Sequence, residues 1–168
     1  MPHQIPADVV MGAQRGDGLA MERLLGELMP MVGRICGAIA LDDGEDAAQE
    51  AMTAIFRGIG GLRDAAALRS WARTVATREA VRVARRRGGT VPLDSVEATL
   101  PASGDPLLSA DLRDLLVRLP PEQRAVLVLR DVEGFSEADA AALLRVPEGT
   151  VKSRLSRSRA ALRRAWWR

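Results

Sequence analysis

Apolar residues recur every three or four positions along most of this chain, which is the spacing that one face of an α-helix requires. The clearest example lies within residues 19–40, where apolar residues recur at roughly this spacing: Leu24, Leu25, Leu28, Val32, Ile35 and Ile39. No stretch of the sequence shows a convincing run of the strict alternation that indicates a strand. The pattern therefore predicts an all-α fold.

Glycine, proline and short acidic turns set the ends of the predicted helices. Pro30 falls inside the second helix and is expected to bend it rather than end it. Ser136, followed by Asp139 three residues later, resembles an N-terminal capping pattern. The predicted helices span residues 8–15, 19–40, 45–59, 66–87, 107–118, 121–132 and 137–145, with a last helix from Thr150 onward. In the fourth helix the expected inward positions are Leu68, Trp71, Val75 and Val83.

Residues 88–106 have no helical period and are rich in Gly, Pro, Ser and Thr. This composition is typical of a linker. The linker contains acids but no base. We therefore expect two small helical domains, residues 1–87 and 107–168, joined by an acidic flexible segment.

The formal net charge of +2 conceals two strongly basic blocks. Residues 69–87 hold seven Arg against one acid, and residues 145–168 hold eight Arg or Lys against one acid. Blocks of like charge repel one another and need solvent or a counter-charged partner. A polyanion that is touched at two separate places fits this distribution.

The composition argues against several classes of protein. One Cys and one His cannot form an intramolecular disulfide or the usual kind of zinc site. We find no signal peptide, and we expect no membrane span, so a cytoplasmic protein is predicted. The sequence shows no carboxylate pair, nucleophile with its base, or Gly-rich phosphate loop, so we predict no enzyme, no cofactor and no small-molecule substrate. Cys36 lies on an apolar helix and is interpreted as a buried small hydrophobe rather than a redox sensor.

Two short helices joined by the turn VPEG, the second of them basic, are typical of a helix-turn-helix. On the second helix one stripe should pack inward, and it consists of Val151, Leu155, Ser158 and Leu162. The opposite face is small, hydroxyl-bearing and cationic, which suits entry into a major groove. It consists of Ser153, Ser156, Arg157, Ala160 and Arg164, with Lys152 and Arg154 on its flanks. The alternative is a solvated basic face that binds nothing.

The stretch LPPEQRAVLVLRDVEGFSEADAAALLRVPEGTVKSRLSRSRAALRR resembles region 4 of bacterial sigma factors of the extracytoplasmic-function type. GEDAAQEAMTAIFRGI, followed by LRSWARTVATREAVRVARRR, is similar to region 2 of the same family. The resemblance implies an alternative sigma factor, which binds core RNA polymerase and gives it promoter specificity. The polymerase itself does the chemistry.

In this family the closing helix reads the minus-35 promoter element in the major groove. The resemblance assigns that role to Arg130, Thr150, Lys152, Ser153, Arg154, Ser156 and Arg157. For Arg130 a local salt bridge with Asp131 or Glu133 is the alternative. The helix start also offers free backbone N–H groups, which suit a phosphate.

Region 2 of the family docks on the β′ clamp helices of the polymerase and opens the minus-10 element. The docking role falls on Asp46, Gln49, Glu50 and Arg57, with a solvated helix face as the alternative because Ala47 and Ala48 replace larger family residues. The minus-10 role falls on Arg63, Arg69, Arg73, Arg78, Arg82, Arg85 and Arg86. Arg78 and Arg82 stand where the family often has Asn and Asp, so the family's minus-10 preference is not carried over.

The implied partners are core RNA polymerase, through its β′ clamp helices and β flap, and promoter DNA. An anti-sigma factor is left as an open possibility. Two other functions compete with that of a sigma factor. A sigma mimic that sequesters an anti-sigma factor would not need DNA-facing cations, and a simple helix-turn-helix regulator would not need the region 2 resemblance.

Overall fold

The structure, a computed structural model, describes residues 5–87 and 113–166, with side chains up to residues 86 and 164 in the two segments. Within these ranges the chain is helical without strands, so the all-α prediction is confirmed. The helices are α1 (Ala7–Gln14), α2 (Gly18–Ala40), α3 (Gly44–Gly58), α4 (Leu68–Arg87), α5 (Pro121–Leu127), α6 (Glu137–Leu144) and α7 (Glu148–Trp166). Short 3-10 turns occupy Leu41–Asp43, Ile59–Gly61 and Ala65–Ala67, and a π-helical turn, Val128–Val132, continues α5. Residues 113–117 are also helical.

The helix ends follow the local signals in the sequence. Asp17 caps α2, since its carboxylate accepts hydrogen bonds from the backbone N–H groups of Leu19 and Ala20 at 2.9 and 3.1 Å. Ser136 caps α6 in the same way, accepting from the N–H of Asp139 at 3.0 Å. Pro30 lies inside α2 without ending it, as predicted. The last helix begins two residues earlier than predicted, at Glu148.

Helix α2 forms the centre of the N-terminal half and packs against α1, α3 and α4. Its predicted stripe is confirmed at five positions, because Leu24, Leu28, Val32, Ile35 and Ile39 are fully buried, whereas Leu25 is only partly buried. The segment Gly18–Gly61 is apolar and long enough, by length and composition alone, to cross a membrane, which the sequence reading did not anticipate. Many of its large apolar residues, such as Leu24, Leu28 and Ile55, lie in the core of the helical bundle.

Helix α4 approaches α2 through small side chains. Leu68 and Val83 are buried as predicted, whereas Trp71 and Val75 are only partly buried. The buried stripe consists of Ala72, Ala76, Ala80 and Ala84. The prediction selected the larger apolar residues, but a helix that packs closely on its neighbour needs small residues at the line of contact.

Cys36 lies at this contact between α2 and α4. Its side chain is fully buried, and its Sγ donates a weak hydrogen bond to the carbonyl of Ala76 at 3.7 Å. Burial, with a smaller effect of Glu79, raises the pKa of Cys36 to about 12. The thiol therefore stays protonated near neutral pH, which agrees with its interpretation as a buried hydrophobe.

The C-terminal half has its own core around the helix-turn-helix. Buried residues of α5, α6 and α7 meet there, with Leu119 and Leu129 beside them. Helix α5 also faces the other half, because Ala125 and Val128 belong to the buried core of the N-terminal half. The two halves are thus packed together in this structure. The predicted linker, residues 88–106, lies outside the described residues.

The start of α3 passes very close to α2 at two glycines. A Cβ atom on Gly44 would lie 2.8 Å from the Cα atom of Gly37, and there backbone cannot move aside. Gly33 is also on α2, but a Cβ atom there would have no neighbour within 4 Å. The two positions therefore form a matched pair for testing this packing.

We predict that Gly44→Ala lowers the free energy of unfolding by about 1–3 kcal/mol, because the added methyl group overpacks the contact. Gly33→Ala should raise it by up to about 1 kcal/mol, because alanine is favoured over glycine inside a helix. Urea denaturation followed by circular dichroism measures both changes. Equal and small effects at the two positions would contradict the close approach of α2 and α3.

Candidate nucleic-acid and polymerase interfaces

The helix-turn-helix consists of α6, a tight turn and α7. Arg145 closes α6 in the left-handed conformation, with φ of 55°, and its N–H returns to the carbonyls at the helix end. Val151, Leu155 and Ser158 are buried, so the inward stripe predicted for α7 is confirmed at these positions. Ser158 is satisfied by donating to the carbonyl of Arg154 at 2.7 Å.

The opposite face of α7 is open to solvent and cationic. Lys152, Ser156 and Arg157 are exposed, while Thr150, Ser153 and Arg154 are partly exposed. Lys152 lies 3.2 Å from a carboxylate oxygen of Glu148, and this hydrogen bond raises the pKa of the lysine. Arg157 forms no ion pair with any residue of 5–87 or 113–166. Its guanidinium is therefore exposed without a carboxylate partner among these residues.

Arg130 is directed into its own half of the molecule. Its Nη1 donates to the carbonyl of Phe135, and its buried Nε has no partner in the described structure. The alternative, in which Arg130 forms an ion pair with Asp131 or Glu133, is wrong, because both carboxylates form ion pairs with other arginines. Asp131 pairs with Arg159 on α7, and Glu133 pairs with arginines of the N-terminal half.

The predicted minus-10 arginines of α4 are held by acids and carbonyls from several elements. Arg82 pairs with Glu79 and Glu50, and Arg86 pairs with Glu50 at 3.0 Å. Arg85 pairs with Glu122 of α5. These ion pairs are largely solvent-accessible and contribute little to stability, so a nucleic acid can replace the acids at small cost.

Two other predicted minus-10 arginines contact the C-terminal half, and two more lie at or before the start of α4, away from Arg82, Arg85 and Arg86. The Nε of Arg78 donates to the carbonyl of Leu143 at 3.1 Å. The Nε of Arg73 lies 2.8 Å from Glu133. Arg63 is exposed before α4 begins, and Arg69 is partly buried near its start.

A cleft of about 620 Å³ lies between α4 and the helix-turn-helix. It is lined by Arg78, Arg82, Arg85 and Arg86 from α4, by Arg145 and Arg154 from the C-terminal half, and by one acid, Glu122. Burial lowers the pKa of Arg78, and the charge of Arg145 lowers it further. The structure therefore brings four predicted minus-10 residues and one predicted minus-35 residue to the same strongly positive cleft.

The predicted docking residues share one face of α3. Asp46, Gln49 and Arg57 are exposed, and they recur at the three- to four-residue spacing that places them on the same side of a helix. Glu50 is partly buried because it binds Arg82 and Arg86 of α4. It thus connects the docking helix to the predicted minus-10 surface.

Sequence reasoning missed the exposed ring of Phe56 on α3. It also missed three charged residues that make contacts between the two halves. Phe56 is 53% exposed beside Arg57, although an aromatic ring of this size is usually covered. The hydrophobic pattern could have found it, because Phe56 falls outside the buried stripe of α3. Arg34, Arg124 and Glu133 make contacts between the halves, and no local pattern marks them.

No cluster of His, Cys, Asp and Glu within residues 5–87 and 113–166 could hold a metal ion. The candidate sites described above are surfaces made of cations, hydroxyls and one aromatic ring. The two basic surfaces lie on different halves of the chain.

Comparison with protein families decides what the two halves are. The family described as Sigma-70 region 2 matches residues 22–90, and the one described as Sigma-70, region 4 matches residues 109–162. The chain belongs to the sigma-70 family. The resemblance seen in the sequence is thereby confirmed. Sigma factors are transcription initiation factors rather than enzymes.

Its relatives in this family carry names of the extracytoplasmic-function (ECF) type. ECF RNA polymerase sigma factor SigM of Mycobacterium tuberculosis is 39% identical over 125 residues, which cover 73% of this chain and 64% of SigM. SigE of Mycolicibacterium smegmatis is 37% identical, covering 72% of this chain and 51% of SigE. The chain thus spans less than two thirds of the length of these two relatives. The sigma-E factor of Escherichia coli K12 is 29% identical over 92% of this chain and 88% of that protein.

Two solved structures share the fold of this sigma-family chain. CnrH, in complex with the cytosolic domain of CnrY, has a TM-score of 0.64 and 21% identity, and the match covers 92% of each chain. The sigma factor RpoE of Bartonella quintana, in complex with the anti-sigma factor NepR, has a TM-score of 0.67 and 24% identity. That match covers 86% of this chain and 95% of RpoE. The likeness extends over both halves, so the architecture of region 2 and region 4 is confirmed.

Proposed function

We propose that this chain is an alternative sigma factor, which binds core RNA polymerase and directs it to start transcription at particular promoters. The observation that carries the proposal is the pairing of two basic surfaces, one on the half that matches region 2 and one on the half that matches region 4. A protein that binds one promoter at two elements needs both surfaces. Its place of action would be the cytoplasm, where the promoter and the polymerase are.

In this proposal, residues 1–87 dock on the polymerase and open the minus-10 element. Residues 107–168 bind the minus-35 element and recognise its sequence. Residues 88–106 join the two. The exposed face of α3, with Gln49, Phe56 and Arg57, would contact the β′ clamp helices. An exposed aromatic ring next to polar and charged groups is the usual composition of a protein–protein hot spot.

The minus-35 contact would be made by α7 in the major groove. Its stripe of Val151 and Leu155 anchors the helix on the domain, which leaves the opposite face free for DNA. Ser153 and Ser156 are small enough to let the helix approach closely, and Arg157 can donate two hydrogen bonds to a guanine edge. Arg154, on the flank toward the cleft, would meet phosphate.

The minus-10 contact would be made by the arginines of α4. A cationic track follows the backbone of a single strand, while stacking surfaces hold its bases. Aromatic side chains are scarce here, and Trp71 packs its ring against Gly58 rather than standing open. Backbone charge would therefore contribute more than base stacking to binding at this surface.

A sigma mimic is the second candidate, because RpoE and CnrH have been solved with partner proteins. The exposed cationic face of α7 favours a DNA-binding factor, since a sigma mimic that binds only an anti-sigma factor has no need of Arg157 and Lys152 for DNA. An anti-sigma partner remains compatible with the sigma factor itself, as a regulator of it.

Run-off transcription tests the proposal directly. Purified full-length protein added to core bacterial RNA polymerase should give discrete transcripts from genomic fragments, and core polymerase alone should not. Tight binding to core polymerase without any promoter-dependent transcript would favour the mimic instead.

For the docking face, we predict that Gln49→Ala combined with Phe56→Ala weakens binding to core polymerase about tenfold or more, because an aromatic anchor is lost. Glu50 is left unchanged because its removal would also free Arg82 and Arg86. Asp8→Ala, which alters an exposed residue of α1, serves as the control. Fluorescence anisotropy with labelled factor measures the affinities, and equal affinities for the two variants would refute the docking assignment.

For α7, we predict that base readout and phosphate contact are separable. Arg157→Ala should cost about 1–3 kcal/mol and relax the preference at one or two base pairs. Arg154→Ala should weaken all sequences alike and flatten the salt dependence by about one unit of slope. The measurement is binding of full-length factor to duplexes with single-base changes, at several salt concentrations.

The control for this series is Arg159→Ala, which removes the same charge from α7 where the guanidinium pairs with Asp131. It should leave the base preference unchanged. If Arg154→Ala changes the base preference and Arg157→Ala does not, the two roles must be exchanged. If none of the variants changes binding, α7 is not the reader.

A further inference from the structure

Arg145 occupies a backbone position that an arginine rarely takes. It ends α6 in the left-handed region, with φ of 55° and ψ of 46°. Glycine or asparagine usually fills this place at the end of a helix, because the Cβ atom of other residues crowds the backbone there. The Arg145 side chain is exposed and lines the cleft between α4 and the helix-turn-helix. A strained residue at the wall of a cleft points to a function for its side chain.

Three arginines of this cleft have no carboxylate partner among residues 5–87 and 113–166. They are Arg78 of α4, Arg145 at the end of α6 and Arg154 of α7, which we call the arginine trio. The other arginines of the lining pair with glutamates. Among the described residues Glu122 is the only acid of the lining, but it pairs with Arg85 and attracts Arg154 only from beyond ion-pair distance. The trio therefore lacks an ion-pair partner of its own.

Two members of the trio, Arg78 and Arg145, repel each other. Burial lowers the pKa of Arg78, and the charge of Arg145 lowers it further. Both guanidiniums stay protonated at physiological pH, so the repulsion between them persists. The Nε of Arg78 donates to the carbonyl of Leu143 at 3.1 Å, so this guanidinium is held in place rather than free to turn away. A bound anion would relieve the repulsion, which adds to the affinity of the cleft for negative charge.

The size and lining of the cleft indicate which anion fits. Its volume of about 620 Å³ lies within the usual range for small-molecule sites. Guanidinium groups pair with phosphate through two parallel hydrogen bonds. Because the trio comes from three different elements, we expect a chain of adjacent phosphates to reach more of its members than one phosphate could. The apolar part of the described lining is aliphatic, with Val81, Leu144 and Val146 and no aromatic ring on which a base could stack. Recognition would therefore depend on the phosphates rather than on a nucleobase.

We propose that this cleft binds a small oligophosphate, with Arg78, Arg145 and Arg154 as its phosphate contacts. The ligand is either inorganic or the phosphate chain of a nucleotide, since both present the same adjacent phosphates. A nucleic-acid strand differs, because a sugar separates each phosphate from the next. The site goes beyond the proposed promoter contacts and belongs to the free chain, so it does not depend on sigma activity. It also gives a role to Arg145, which the sequence motifs did not assign.

Isothermal titration calorimetry on the full-length protein tests the class of ligand. The probes are sodium tripolyphosphate, ATP and orthophosphate, at about 150 mM salt to screen long-range attraction. Mg²⁺ is left out because it would compete for the phosphates. Tripolyphosphate should bind at least about tenfold more tightly than orthophosphate, because it reaches more of the arginines. We expect nearly equal affinities for ATP and tripolyphosphate, because no ring stacks on the base. A clear preference for one of the two would identify the source of the phosphate chain.

Arg145→Gly tests the role of the strained residue. Glycine adopts this backbone conformation freely, so the variant should keep or raise the melting temperature. It should nevertheless weaken tripolyphosphate binding about fivefold or more, because a charge-assisted contact is lost. Arg154→Gln should weaken binding in the same way from another helix. Arg118→Gln is the matched control, since it removes an exposed arginine of the same half from outside the lining of the cleft, and it should leave the affinity unchanged.

Four results would overturn the proposal. Equal binding of orthophosphate and tripolyphosphate would indicate an adventitious ion only. Equal losses in Arg145→Gly and Arg118→Gln would show an effect of net charge rather than a site. A short thymidine oligonucleotide or poly-glutamate that binds more tightly than tripolyphosphate, and that loses as much affinity in Arg145→Gly, would assign the cleft to a nucleic-acid strand or an acidic peptide. The fourth is the absence of measurable tripolyphosphate binding by the wild-type protein.

Discussion

The arrangement of this molecule depends on the burial of one guanidinium, that of Arg124 at the start of α5. Its Nε donates to the carbonyl of Ile39 in the last turn of α2, and its Nη1 donates to the carbonyls of Leu119 and Leu116 at 2.7 and 3.3 Å. Carbonyls at a helix end lack partners within the helix and carry the negative end of its dipole, so they suit a cation. Burial lowers the pKa of Arg124, but these acceptors offset much of the cost. One residue thereby fixes α5 to both halves.

Around this residue the packing relies on small side chains. Aromatic residues make up only 3% of the sequence, so large rings cannot fill gaps between helices. Alanines on α4 and paired glycines on α2 and α3 let the backbones approach instead. Close backbone contact leaves little room for adjustment, which makes the bundle sensitive to single added methyl groups. The N-terminal half is thus a rigid platform for the surfaces on α3 and α4.

The arginines of α4 have two roles, because they form ion pairs within the fold and would also bind nucleic acid. Arginines of α4 that would follow a nucleic-acid strand are held here by Glu50, Glu79, Glu122 and Glu133. Three of these acids keep 20–36% of their side chains exposed, whereas only 2% of the Glu133 side chain is exposed. Exposed pairs exchange partners easily, while a buried pair resists exchange because a lone buried charge is costly. The burial of Glu133 therefore makes its pairs with Arg34 and Arg73 the hardest of these contacts to exchange.

Much of the fold and part of the candidate site could be predicted from the sequence. Most of the apolar stripe of α2, the cap at Ser136 and the buried and exposed faces of α7 follow from local sequence patterns and were confirmed in the structure. Family membership was also readable, because the motifs of region 4 are contiguous in the chain. Trp71 and Val75 were placed too deep, since periodicity ranks residues by hydrophobicity and says nothing about how closely two helices approach.

Only the tertiary structure decided which charges meet. Glu133 lies 99 residues from Arg34 and 60 residues from Arg73, and Arg124 lies 85 residues from Ile39. A local pattern carries no information about such partners, because helix periodicity orients a side chain but does not say which other helix it faces. For the same reason the sequence offered a local salt bridge with Asp131 or Glu133 as the alternative role of Arg130, while the fold gave both acids to more distant arginines. The sequence determined the two basic surfaces, and the packing of α5 and the helix-turn-helix against α2 and α4 decided which arginines of α4 meet acids and carbonyls of the C-terminal half.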